Sequence, residues 1–363
     1  ARTVMVGRRG IAAAAISRRD YDTAILHAAQ AFEENPNARW AFDLLFDAQV
    51  QAARWEDVIE TLDAGTKRKH LPEDVARRRR AVLLAAAAES IQTTDPARAR
   101  DLAEQSASLA PAFAPGAALA ANRLLAAGKS WRAAGLLEDA WAAAPHPAIA
   151  LAYRDLRPDE TPKARAKRMA GLAELNPEHR ESRILVAEQA LSEDDGEAAR
   201  DALTPLLGVD ETPSARLCGL LAQVEQACGD LPAARRWVAE AAIAPGEPDW
   251  SDLDPEGPAF DYNNADWARL VYSFGDTGKL IHPRHERFER ERLTAPTHLL
   301  LEAPKPEEEA AEEAPSAEQA PAPMPAPEVS AQPAAPAQKT ERRSYGPVFI
   351  GTGHQPDDPG VEE

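Results

Sequence analysis

An internal repeat constrains this chain more than any other feature. A turn, a large residue, a small residue three positions on, then a run of small and apolar residues recur along the first two-thirds, most copies ending in proline. The copies read DYDTAILHAAQAFEENP to Pro36, RWEDVIETLDAG, DPARARDLAEQSASLAP to Pro111 and SWRAAGLLEDAWAAAP to Pro145. They continue as TPKARAKRMAGLAELNP to Pro177, DGEAARDALTPLL, and DLPAARRWVAEAAIAP to Pro245. Aligned on Ala24, Val58, Ala99, Ala134, Ala166, Ala199 and Ala234, they are spaced by 34, 41, 35, 32, 33 and 35 residues.

That period is the tetratricopeptide one, in which each unit is a hairpin of helices A and B that buries its apolar face only by stacking on its neighbours. The residue types follow from the geometry. A small residue lets helix B approach helix A, and Ala28 and Ala31 continue the same face one and two turns on. Tyr21, Trp55, Trp131 and Leu231 are expected to fill the space between neighbouring hairpins. Proline ends helix B because it lacks the next donor and disfavours helix in the residue before it. Gly128, Gly196 and Gly229 fall in the A-to-B turns. The expected fold is all-α: a right-handed tetratricopeptide-like solenoid of about seven hairpins over 1–245.

Composition agrees. Of 363 residues 44% are hydrophobic but only 6% aromatic, so the core must be built largely from Ala and Leu, which suits closely packed helices better than a β-sandwich. A net charge of -18 disfavours nucleic acid as a partner. Residues 246–300 turn acidic and aromatic and are expected to pack as an extension on the last repeat. Residues 301–363 are rich in Pro, Ala and Glu, too poor in large apolar groups to offset chain entropy, and are expected to be disordered. A stretch at 343–351 regains Tyr345, Val348, Phe349 and Ile350 and reads as a short docking motif or an inert tail. No apolar run approaches the roughly 18 residues that crossing a bilayer needs.

The opening RRGIAAAAISRRDYDTAILHAAQA and the following RWAFDLLFDAQVQAARWEDVIETLDAG resemble the HemY family, over about residues 1–290. These are bacterial inner-membrane tetratricopeptide proteins associated with haem biosynthesis. The resemblance implies an anchor of two spanning helices ahead of this start, which would account for a chain beginning at Ala1. It also implies a solenoid on the cytoplasmic side, with Arg8-Arg9 obeying the positive-inside rule, and haem-synthesis enzymes as protein partners. The flavin-dependent oxidase of the same name is excluded, because no GxGxxG follows a strand. Related adaptors of lipopolysaccharide control carry a metal knuckle after their repeats. DWSDLDPEGPAFDYNNADW resembles its frame with every cysteine missing, so no thiolate site can form; Trp250, Phe260, Tyr262 and Trp267 would hold the shape by packing.

No catalytic constellation is recognisable: GxSxG, HExxH, P-loop and paired CxxC motifs are all missing from the sequence, and no cofactor is expected. His282 and His285 form an HxxH pair that reads as solvated surface histidines, with haem or metal ligation as the weaker reading. Cys218 and Cys228 read as small buried hydrophobes. Arg77 to Arg80 read as a solvated helix start, or as a contact for anionic lipid. A groove lined by helix A would present Asp43, Asp47, Arg123, Asp155, Glu188, Arg216 and Gln223, a mixed polar set suited to a peptide. The functional expectation is a non-enzymatic, membrane-tethered scaffold supporting haem synthesis. A haem or porphyrin carrier and an adaptor in envelope lipopolysaccharide control stand as alternatives.

Overall fold

The computed structural model describes residues 2–208, 212–249 and 260–285. The tail at 301–363, its motif at 343–351 and most of the knuckle-like frame, Trp250 included, lie outside the described residues.

Fourteen helices pair as seven hairpins, the number the repeat demands. They are α1 (Arg2–Ser17) with α2 (Tyr21–Glu34), α3 (Arg39–Gln51) with α4 (Trp55–Lys67), and α5 (Glu73–Ser90) with α6 (Pro96–Leu109). Then come α7 (Ala114–Ala126) with α8 (Ser130–Ala143), α9 (Pro147–Arg154) with α10 (Pro162–Ala173), α11 (Arg180–Ser192) with α12 (Gly196–Leu203), and α13 (Ala215–Ala227) with α14 (Leu231–Ile243). Within these fourteen, each helix up to α13 packs on the next, and no strand occurs among the described residues. The fold is an all-α, tetratricopeptide-like solenoid.

Local chemistry sets the helix starts. Asp20, Asp95, Asp195 and Asp230 each accept a hydrogen bond from the backbone N–H three residues on, which supplies one of the orphan donors of a first turn. From each start the same positions are buried. Ala24, Ala28, Ala31 and Phe32 of α2 match Ala99, Ala103, Ser106 and Ala107 of α6. In α8 the matching set is Ala133, Leu137, Ala140 and Trp141. The sequence alignment is therefore one residue late in two units: Ala133, not Ala134, takes the close-contact position, and in α10 it falls to Arg165, not Ala166. The slip has a consequence for the large residues. Trp55 is buried as expected, but Trp131 is 78% exposed because it stands one position off the packing face. Leu231 is exposed for a different reason, since α14 is the last helix of the stack among the described residues.

Helix α5 departs from the amphipathic pattern. Ala81 to Ala88 are all buried, which requires cover all round. Part of that cover is α15 (Asn264–Thr277), started by a capping box between Asn263 and Asp266 and ended by Gly278 at φ 72°. The extension was expected on the last repeat; α15 instead packs on α5 and α3, near the other end of the solenoid. Burial explains the choice. Trp267, Leu270, Val271 and Phe274 join a cluster with Phe42, Phe46 and Phe113 of the repeats. A Cβ on Gly275 would stand 2.6 Å from Arg79 Cγ, so glycine is what lets α15 lie so close.

Candidate protein-binding groove

The row of A helices divides into a closed stretch and an open one. In the closed stretch α15 covers α3 and α5. Phe274 meets Phe113 at 4.6 Å between ring centroids, and Tyr272 meets Phe46 edge-on at 6.3 Å. The Tyr272 hydroxyl donates to the carboxylate of Asp47. Burial pushes the Asp47 carboxyl up, partly countered by that hydrogen bond, and it pushes the Tyr272 phenol up as well. Arg78 donates to the carbonyls of Gly275 and Asp276 at 3.0 and 2.9 Å, which satisfies the last turn of α15 and complements its dipole. Arg79 pairs with Asp276 at 2.9 Å and lies over the rings of Phe46 and Tyr272, while Arg80 pairs with Asp63. Three of the four consecutive arginines are thus spent inside the molecule, which corrects both the solvated and the lipid-contact readings of that run.

After α14, residues 245–249 form a strap along the N-terminal ends of α13, α11 and α9. The Pro245 carbonyl accepts from Ala215 N at the start of α13. Glu247, buried, accepts from Ser214 Oγ at 2.7 Å, from Arg216 at 3.2 Å and from Arg180 at the start of α11. Burial would raise the Glu247 carboxyl, but Arg216 and Arg180 outweigh it and hold it below the usual range. At the start of α9, His146 Nδ1 accepts from Ala148 N, so the neutral ring carries its proton on Nε2, 3.1 Å from the Asp249 carbonyl. Burial lowers the pKa of His146, which agrees with that neutral form.

His282, which follows α15, packs on this strap. It is buried, not solvated: its backbone N–H donates to the Pro248 carbonyl at 2.6 Å and its ring meets Tyr262 at 5.5 Å. His285 sits one turn on and half-exposed, its backbone N–H on the His282 carbonyl at 2.9 Å. With one ring enclosed and the other outside, the HxxH pair does not present two imidazoles to a common ligand.

The open stretch lies between α9 and α11, where a cavity of about 280 Å³ remains. Trp141, Leu151, Met169 and Ile184 form its apolar wall, and Arg154, Arg165, Glu181, Glu188 and Arg216 its polar one. Arg216 bonds Glu181 at 2.8 Å and stands 3.9 Å from Glu188. Burial alone would lower the Arg216 pKa; Glu181 and Glu247 reverse that and raise it. Desolvation raises both Glu181 and Glu188, with Arg216 opposing. Arg165 contributes a buried Nε with no hydrogen-bond partner. Such an arrangement can hold an apolar side chain beside a polar or acidic group.

The residues expected in the groove therefore scatter. Glu188 and Arg216 line the cavity, whereas Asp155 is exposed and pairs with its neighbour Arg154 at 2.8 Å. Gln223 is exposed on α13. Arg123 bonds Glu89 at 3.1 Å and also Gln92, joining α7 to α5 and the turn after it. Asp43 is exposed beside Arg39, and Asp47 is covered by α15. Sequence reasoning missed Trp141, Arg154, Arg165 and Glu181; the one-residue register of α8 and α10 would have pointed to Trp141 and Arg165, whereas Arg154 on α9 and Glu181 on α11 carry no such signal.

The chain matches no known family profile. It is similar to the "Probable magnetosome protein Mms48" of Magnetospirillum gryphiswaldense, 27% identical over 181 residues, which are 50% of this chain and 40% of that protein. The chain thus spans under half the length of this relative. A tetratricopeptide repeat protein from Parabacteroides merdae aligns over 74% of this chain and 99% of its own, at 11% identity and a TM-score of 0.32. At that level the fold assignment rests on the seven hairpins themselves.

Proposed function

We propose that this chain is a non-enzymatic scaffold that holds a segment of a protein partner on the open stretch of its A helices, between α9 and α11. The cavity between α9 and α11 carries the reading, because an apolar wall there faces a buried guanidinium nitrogen with no partner. In the first half of the row α15 covers α3 and α5, which directs a partner segment away from them and towards this stretch. The likeness to the HemY family supplies the finer reading: a scaffold tethered at a bacterial inner membrane, its solenoid cytoplasmic, supporting or regulating tetrapyrrole synthesis. The name of the magnetosome relative offers a second setting for the same role.

Crosslinked capture tests it, comparing the wild type with Arg165→Glu combined with Glu188→Lys. Both residues lie at the cavity without anchoring the strap. The expected result is selective loss of captured proteins at unchanged helicity; an identical captured set would end the proposal. Haem titration addresses the carrier alternative, for which no saturable Soret shift is expected, His282 being enclosed.

A further inference from the structure

The charges around the cavity between α9 and α11 are matched with one exception. Arg216 is answered by Glu181 at 2.8 Å and by Glu247 at 3.2 Å, and Arg154 holds Asp155 at 2.8 Å. Glu188 stands 3.9 Å from Arg216 and also lies in the field of Arg154. Arg165 on α10 is the exception: it makes no ion pair among the described residues, and its buried Nε bonds nothing. The sequence around it adds to the imbalance. Residues 154–168 carry six basic side chains against three acidic ones, a net charge of +3 in a chain of -18.

The opposite wall is apolar. Trp141, Met169, Ile184 and Leu185 are each at most 4% exposed, and the indole N–H of Trp141 already donates to Ser182 Oγ at 3.1 Å. The side chains of that wall therefore present no free donor, only surface that a large apolar group would cover. At about 280 Å³ the space falls below the roughly 300–1,000 Å³ of sites for small molecules and cofactors, and suits one side chain used as an anchor. A carboxylate beside that anchor would answer Arg165 with a charge-assisted hydrogen bond. A basic segment would instead meet the positive edge at 154–168, and an uncharged one would leave Arg165 as it is.

We propose that the cavity receives a large apolar side chain from an acidic segment of a protein partner, with a carboxylate next to that anchor on the guanidinium of Arg165. This rests on the scaffold reading above and names the chemistry of its partner. The rest of the chain, with its surplus of negative charge, repels such a segment, so the positive edge also decides where it lands. Because that edge faces solvent, added salt weakens the contact.

The test uses the full chain and short synthetic peptides with a central Leu or Phe flanked by Glu, by Gln or by Lys, read by fluorescence anisotropy. The Glu-flanked peptides should bind about tenfold more tightly than the Gln-flanked ones and lose affinity as salt is added, and the Lys-flanked ones should bind weakest. Arg165→Glu should reverse that order, a gain for Lys flanks that a misfolded variant could not show. Ala150→Trp fills the cavity from α9 without removing a charge and should abolish binding of all three sets, with helicity unchanged by circular dichroism. Equal affinity for the three flanks, a preference for Lys, no binding by any peptide, or binding untouched by Ala150→Trp overturns the proposal. So does binding to phosphatidylserine vesicles that Arg165→Glu abolishes, which would assign the charge to a lipid surface. Crosslinked capture decides the scaffold reading separately: partners lost from the double variant, without any preference for acidic flanks, would leave that reading standing and end this one.

Discussion

Hairpins one to three and hairpins five to seven share one repeat plan and reach opposite ends. Around α3 and α5 the A helices carry Phe42, Phe46 and an all-apolar Ala81 to Ala88, and α15 lies on them as part of the core. Around α9 to α13 the helices are shorter, with α9 and α12 at 8 residues each. There the face is tied together by Arg180, Arg216, Glu181 and Glu247, and a cavity remains. A repeat sets how hairpins stack; what lies on the A row is decided by the side chains the repeat leaves free. Apolar ones recruit a helix of the same chain, and charged ones form a lattice with room beside it.

Removing the aromatic seal tests that contrast most severely. Phe274→Ala should cost about 3–5 kcal/mol, the usual range for an emptied buried phenylalanine site, read as a lower urea midpoint. A loss under about 1 kcal/mol would mean that α15 is not core.

Cutting the strap at Glu247 comes next. Glu247→Ala leaves Arg180 and Arg216 facing each other without their carboxylate and should cost about 3 kcal/mol. Hydrogen exchange should rise at Ala215 and His282 and stay unchanged at α3. The pH dependence has a definite sign. A carboxylate held below its usual pKa adds stability above its unfolded pKa and loses it as pH falls through the folded one, so the wild type should lose the strap under acidic conditions. Glu247→Gln should flatten that loss.

Asp47 runs the other way and by less. Its carboxyl is raised by burial, so its contribution is present at low pH and is lost as pH rises through the folded pKa. Asp47→Asn keeps an acceptor for Tyr272 and should be neutral to about 1 kcal/mol stabilising at pH 7, with less effect in acid. Thermal melts at two pH values distinguish this from a simple loss of the bond. Trp131→Ser should change stability by less than about 0.5 kcal/mol, because the ring stands outside the stack.

Much of the stack is legible from residues alone. Seven turns followed by small residues at helical spacing predict seven hairpins, and aspartate before four of the seven B helices supplies most of their side-chain caps. The register failed where its cue was ambiguous. In SWRAAG two adjacent alanines compete for one position, and TPKARAKRM puts an arginine there. The groove was half legible: Glu188 and Arg216 stand at the cavity, while Asp47 and Arg123 are taken up by contacts inside the chain.

Helix periodicity, turn chemistry and unit length are local, written within about 34 residues, so a reading of the chain recovers them. Where α15 and its strap come to rest is not local. The bonds that hold α15 join residues 197 to 225 positions apart, and two apolar helix faces look alike until packing decides which of them is still open. Composition announces that such faces exist; only the assembled stack selects their partners, since burial energy depends on shape and on what has already been covered.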